Sequence, residues 1–190
     1  MVEVTRTDRR TSNSRQDILE AAQRLASREG AGKLTIEAVA REAGLSKGGV
    51  LYNFPSKDLL LKGMLDWMIE TIAPLIDEHR DALEGQPNRT LRALIKASDF
   101  KAKNIDPSVP MAILAVAAED PELLAPMRAE MQARWQQVLD DGTDPELAAL
   151  LWAAADGLMF HCMLGTGVFP EERRTHLLGR LDELATQICK

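Results

Sequence analysis

Apolar residues recur along this chain at intervals of three and four, the spacing that lines one face of an α-helix, and the alternating β-branched runs of strands are absent. The first stripe, Ile18, Ala21, Ala22, Leu25 and Ala26, predicts a helix capped by Ser14 and ended by Gly30. Thr35 predicts the cap of a short second helix, with Ile36, Val39, Ala40 and Ala43 inward and Gly44 as its stop. Ser46 can cap a third at once. Pro55-Ser56-Lys57-Asp58 marks the start of a long helix through Leu59, Leu60, Met64, Trp67 and Met68 towards His79. The residue before a proline avoids the helical region, Ser56 accepts amide hydrogen bonds, and Asp58 suits the positive helix end. Pro74 lies inside this helix and predicts a kink or a break.

Beyond Gly85-Gln86-Pro87 the pattern predicts helices over 88–104, 108–118, 122–140, 145–164 and 171–189. The segment 108–118 is apolar on every side, which predicts a place in the middle of the bundle. The expected fold is all-α, with about nine helices: a basic flexible arm over 1–14, a three-helix head over 15–62, and a helical body over 63–190.

Composition narrows the classes. Over 190 residues, 45% hydrophobic and 27% charged residues describe an ordinary folded chain. The longest apolar run, Leu147 to Ala155, is closed by Asp156, short of the roughly 20 residues a bilayer crossing needs, so no membrane partner is expected. The N-terminal sequence lacks the apolar core of a secretory signal, which predicts a cytoplasmic address. Two isolated cysteines, Cys162 and Cys189, and three scattered histidines give no ligand spacing, so neither a metal nor another cofactor is expected. His161 and Cys162 are sequence neighbours and point about 100° apart on a helix, which defeats a nucleophile-and-base reading; an enzyme is not expected.

The net charge of -6 conceals an asymmetry: residues 1–62 hold 11 Lys and Arg against 8 Asp and Glu, and the remainder is strongly acidic. A basic N-terminal third permits a local nucleic-acid surface. Two short helices joined at Gly44-Leu45 form a helix-turn-helix over 35–54, whose second helix is shaped for a DNA major groove. In it Val50 anchors the core, leaving Ser46, Lys47, Gly48, Gly49, Tyr52 and Asn53 outward. The glycines allow close approach of a phosphate to the backbone, Lys47 adds a cation, and Tyr52 and Asn53 can donate hydrogen bonds to phosphates or base edges. Each residue has a plainer reading as well: the glycines as a loop, Tyr52 as a packing residue, Lys47 as a surface charge.

Residues 15–65 resemble the N-terminal domain of the tetracycline-repressor (TetR) family of bacterial transcriptional regulators. The resemblance rests on Ile18-Leu19-x-Ala21-Ala22, Gly30, Thr35, the Ala40 to Gly44 stretch, Ser46-Lys47-Gly48, Phe54 and Ser56-Lys57. It implies a three-helix DNA-binding head and a body of about six helices that binds a small molecule and forms a homodimer. It also implies that Thr35, Ser46, Lys47, Gly48 and Lys57 touch double-stranded DNA at a palindromic operator, chiefly through phosphates. Many members read Tyr-x-His-Phe where this chain has Leu51, Tyr52, Asn53 and Phe54, so the hydroxyl moves about 100° round the helix.

For the body, Met64, Trp67, Met68, Phe100, Met111, Met127, Met131, Trp135, Phe160 and Met163 are candidates for a pocket taking a largely apolar effector, with plain core as the alternative. Leu177, Leu181, Leu184 and Ile188 form a heptad-like stripe, and Leu147, Leu150, Leu151 and Leu158 a broad apolar face; paired with their copies they would make a four-helix dimer interface. A monomer can instead bury one such helix against its own body. The reading overall is a ligand-responsive repressor released from its operator by a small molecule; the alternative is a helical protein-binding adaptor that has lost specific DNA contact.

Overall fold

The computed structural model describes residues 6–188. Among them are nine α-helices: α1 Arg6–Glu29, α2 Ile36–Glu42, α3 Lys47–Asn53, α4 Lys57–Asp81, α5 Arg89–Asn104, α6 Ser108–Ala117, α7 Ala125–Asp140, α8 Pro145–Met163 and α9 Glu171–Gln187. Short 3-10 turns lie at Ala31–Lys33 and Pro121–Leu124, and there is no strand among the described residues. The chain folds as two compact units. The first runs to Met68 and takes in Asp106–Pro126; the second comprises Ile69–Ile105 and the chain from Met127.

In the first unit the α1 stripe packs inward, with Ile18, Leu19, Ala21, Ala22 and Ala26 fully buried, and Gly30 ends the helix at φ +82°. Leu34, Val39, Val50, Phe54, Leu60, Leu61 and Met64 complete the core. The Phe54 ring lies against α4 at Gly63, where a Cβ would come within 2.5 Å of Cε1. The Arg15 guanidinium stands 5.2 Å above the same ring. Arg15, Phe54 and Gly63 thus form a stack that ties α1, the end of α3 and α4 together. Glu42 adds a polar tie, accepting from Arg28 at 2.7 Å and from Arg24 at 3.4 Å.

The second unit centres on α5, which packs against α8 and α9. Its core includes Ile76, Leu91, Leu94, Ile95, Val138, Ala148, Ala155 and Leu178, with Trp135 stacked on Trp152 at 6.2 Å. Asn88, only 4% exposed, sits in the left-handed region at φ +54° before α5. Its amide donates to the carbonyls of Ala185 and Ile188, both at 2.7 Å, and its Oδ1 accepts from Thr143 at 2.8 Å. One buried side chain thereby closes the end of α9 and fixes the loop before α8. Asp141 caps α5 by accepting from the Thr90 amide at 2.7 Å.

Several expectations change. The expected cap Ser14 lies inside α1, which is already helical from Arg6; no glycine or proline interrupts the preceding stretch. Of the arm expected over 1–14, residues 1–5 lie outside the described residues. Pro74 does not break α4: the helix continues to Asp81, with Ile72 and Ile76 packed on either side of the proline. The segment Ser108–Ala117 is not enclosed all round. Val109, Ala112, Ile113 and Ala117 are buried while Leu114 is 40% exposed, and the helix packs on α1 within the first unit. Among the described residues α8 alone has the length and mean hydropathy, 1.2, that a membrane crossing requires. The run counted from Leu147 misses this because it stops at Asp156. Here Asp156 is satisfied by Ser98 at 3.2 Å and Lys101 at 3.6 Å, while Ala148, Ala155 and Met159 pack inward.

Candidate nucleic-acid interface

The turn between α2 and α3 is built by local hydrogen bonds. The Gly44 amide donates to the Arg41 carbonyl at 3.3 Å and the Leu45 amide to the Ala40 carbonyl at 2.8 Å, the pairing of a helix that ends on a left-handed residue. Gly44 takes that conformation at φ +67°. Both helices begin on hydroxyl caps: Thr35 Oγ1 accepts from the Ala38 amide and Ser46 Oγ from the Gly49 amide, each at 3.1 Å. A hydroxyl that accepts from its own helix keeps its proton for another acceptor. Ser56 repeats the arrangement for α4, accepting from the Leu59 amide at 3.1 Å, with Lys57 as the first helical residue.

On α3 only Val50 is buried. Tyr52 is 78% exposed. A Cβ at Gly48 would meet nothing nearer than Ser46 Oγ at 3.9 Å, so internal packing does not demand a glycine there. Lys47 pairs with Glu37 of α2 at 2.5 Å, both side chains well exposed, and this contact holds the Glu37 carboxyl below the usual glutamate range. An exposed pair of this kind is screened by solvent and weak, so a phosphate can displace it. Asn53 departs from the outward-facing expectation. It is half-buried, its amide donating to the Gly49 carbonyl at 3.0 Å and to Ser14 Oγ at 3.4 Å, which braces α3 against α1. Nothing in the local sequence around Asn53 signals a partner 39 residues away.

The body candidates are distributed over both units. Met64 is fully buried and Trp67, Met68 and Met111 half-buried in the first; Phe100, Met127, Met131, Trp135 and Met163 are half-buried in the second, where Phe160 is exposed. Of the interface candidates, Leu147 and Leu184 face outward, while Leu151, Leu158, Leu177 and Leu181 are partly covered within the second unit. Ile188 is buried, drawn inward because its carbonyl is held by Asn88.

A capped helix-turn-helix on a compact helical unit, with a further helical unit following it, defines a helix-turn-helix DNA-binding regulator. The family model described as bacterial regulatory proteins, tetR family, matches residues 18–64, and that described as tetracyclin repressor-like, C-terminal domain, matches residues 88–186. The chain belongs to the TetR family of transcriptional regulators. It is 36% identical over 80 residues to the nucleoid occlusion factor SlmA of Vibrio atlanticus, an alignment covering 40% of this chain and 41% of that one. The chain thus spans about two fifths of the length of the curated relatives it matches. Among solved structures, a transcriptional regulator from Rhodococcus sp. Rha1 shares the fold with a TM-score of 0.73, 24% identity, and coverage of 92% of this chain and 96% of that one. The multidrug binding protein EbrR, complexed with imidazole, gives a TM-score of 0.67 and 27% identity, with coverage of 95% and 96%.

Proposed function

We propose that the chain is a homodimeric, ligand-responsive repressor that binds a palindromic operator through the outward side of its helix-turn-helix and is released by a small, largely apolar molecule. The observation that carries this reading is the empty space over Gly48 on α3. A glycine costs a helix about 0.5–1 kcal/mol relative to alanine, and here it serves no contact within the protein, so its use is the close approach of something outside. Thr35, Ser46, Gly49 and Tyr52 supply further polar groups on that surface, and Lys47 and Lys57 supply cations for the phosphates. Asn53 acts by holding α3 in place. The functional division then runs from DNA contact over 15–62 to effector binding and pairing over 63–190. The dimer is supported by the outward leucines of α8 and α9 and by the two half-sites that a palindrome presents. The effector reading is supported by the methionine-rich and aromatic candidates and by the likeness to a multidrug binding protein. A ligand releases the operator only through its differential affinity for the two states, typically about 1–3 kcal/mol.

Selection of bound fragments from genomic DNA is expected to return a palindromic site, and Lys57→Ala to weaken binding there and flatten its salt dependence by about one phosphate. Failure to select any duplex overturns the reading. A second reading draws on the likeness to proteins named nucleoid occlusion factors: deletion of this chain that left transcript levels at the selected loci unchanged would favour a role of that kind over repression.

A further inference from the structure

The second unit contains a cavity of about 160 Å³ where α8 ends and α9 begins, lined among others by Leu158, His161, Cys162, Phe169 and Arg174. Arg174 is only 7% exposed. Its Nη1 donates to Cys162 Sγ at 3.2 Å, and its Nε has no hydrogen-bond partner. Among the described residues no carboxylate pairs with it. Arg134, also buried, shows what this fold otherwise supplies: carboxylates from Asp77 and Glu130 and a carbonyl from Ala73. A guanidinium keeps its charge in any protein environment, and a buried charge left without a counter-ion is strongly disfavoured. The cavity is therefore bordered by a guanidinium whose charge no carboxylate among the described residues answers, beside the apolar walls of Leu158 and Phe169.

We propose that this cavity binds a small organic monocarboxylate, its anionic head on the Arg174 guanidinium and its apolar part against Leu158 and Phe169. The planar fork of arginine matches carboxylate geometry. The volume suits an aryl or short alkyl group, since a cavity of roughly 150 Å³ accepts benzene. Glu171 and Glu172, exposed at the start of α9, weigh against a multiply charged anion. The site stands apart from the repressor reading, because its test reads binding to the chain itself.

Calorimetric titration of the full chain with benzoate, its neutral isostere benzamide and inorganic phosphate tests the proposal. Saturable benzoate binding at least about tenfold tighter than benzamide or phosphate is expected. Arg174→Met should abolish that preference, and Phe169→Ala should weaken benzoate several-fold with the far-ultraviolet dichroism unchanged. Equal binding of benzoate and benzamide, or an undiminished preference in Arg174→Met, overturns it. So does a benzoate-indifferent chain whose Arg174→Met variant sediments as a smaller species, because the guanidinium would then be answering a carboxylate of a second copy. Should Arg174→Met fail to fold, the ligand contrast on the unmodified chain and the Phe169→Ala titration decide the matter.

Discussion

The outward side of α3 carries glycines, a lysine and a tyrosine, whereas α8 and α9 turn Leu147, Leu150 and Leu184 to the outside, Leu150 being 65% exposed. The two surfaces are unfinished in opposite senses. A polar, sterically open surface has nothing to gain from a second apolar surface but matches a charged duplex. A run of exposed leucines is costly in water and matches another apolar face. The polar ties differ in range as well, although the head also has the Asn53–Ser14 contact across 39 residues. Polar ties at the two helix starts of the head span three residues, from Thr35 to Ala38 and from Ser46 to Gly49. Those in the second unit span dozens, from Asn88 to Ala185 or from Arg134 to Asp77. Local capping sets short helices at defined angles, while long-range buried polar groups hold long helices whose apolar faces would otherwise be free to slide.

That contrast is tested most strongly at Asn88. Asn88→Ala removes three hydrogen bonds, leaves two buried carbonyls and a hydroxyl unmatched, and places alanine at positive φ, so urea unfolding should show a loss of about 3 kcal/mol or more. Thr35→Ala in the head removes one cap and should cost only about 1 kcal/mol. Equal losses would show that the buried network is no more than a set of interchangeable contacts.

Gly63→Ala comes next. The added Cβ meets Phe54 Cε1 at 2.5 Å and Arg15 Nη2 at 3.4 Å, and overpacking of this kind costs about 1–3 kcal/mol. Phe54→Leu vacates the same space, so combining the two should recover part of the loss, and unfolding of the single and double variants measures the coupling. Strict additivity would mean that the ring swings away freely and that the Arg15–Phe54–Gly63 stack does not set the position of α3.

Legibility along the chain follows the range of the interactions. Thr35, Gly44, Ser46 and Ser56 are readable because a cap or a left-handed stop acts within a few residues, and the first three, with the apolar positions Ile36, Val39, Ala40, Ala43 and Val50, define the helix-turn-helix. Ser14 shows the converse: a serine suits a cap, yet only the absence of a preceding helix makes it one, and α1 is already helical from Arg6. Asn88 carries no local signal beside Gly85-Gln86-Pro87, because its partners Ala185 and Ile188 lie 97 and 100 residues on. Arg174 reads as one more surface charge in Glu171-Glu172-Arg173-Arg174 until α9 packs. The heptad register does not reach Ile188, because α9 ends at Gln187 and Asn88 holds the Ile188 carbonyl where the backbone is already extended.

A third comparison sets stability against binding at one position. The space over Gly48 accepts a methyl group without a clash, so Gly48→Ala should stabilise the head by about 0.5–1 kcal/mol in unfolding experiments. The same methyl group stands where a phosphate would approach, so operator affinity in a band-shift titration should fall by about tenfold or more, some 1.4 kcal/mol. Effects of the same sign on both measurements would place the DNA elsewhere on the head.

The smallest effect is expected at Glu42, where the head uses charge rather than packing. The Arg28 guanidinium, and behind it Arg24, hold the Glu42 carboxyl below the usual glutamate range, and Arg28 itself is pushed further above its own. Arg28 stays protonated at every accessible pH, so the titration belongs to the carboxylate. Because the folded value lies below the unfolded one, the contribution is fully present above the ordinary glutamate pKa of about 4.3 and disappears as pH falls through the folded value. Glu42→Gln should therefore be slightly less stable than the unmodified chain at neutral pH, with the gap closing below about pH 4 and narrowing in high salt. Glu37 provides the internal control. Its carboxyl is lowered in the same direction by Lys47, but Glu37→Gln frees a cation on the outward surface. It should leave stability nearly unchanged while tightening salt-sensitive binding to duplex DNA. If Glu37→Gln instead destabilised the head as much as Glu42→Gln, the Lys47–Glu37 pair would be a structural tie and not a contact that a phosphate replaces.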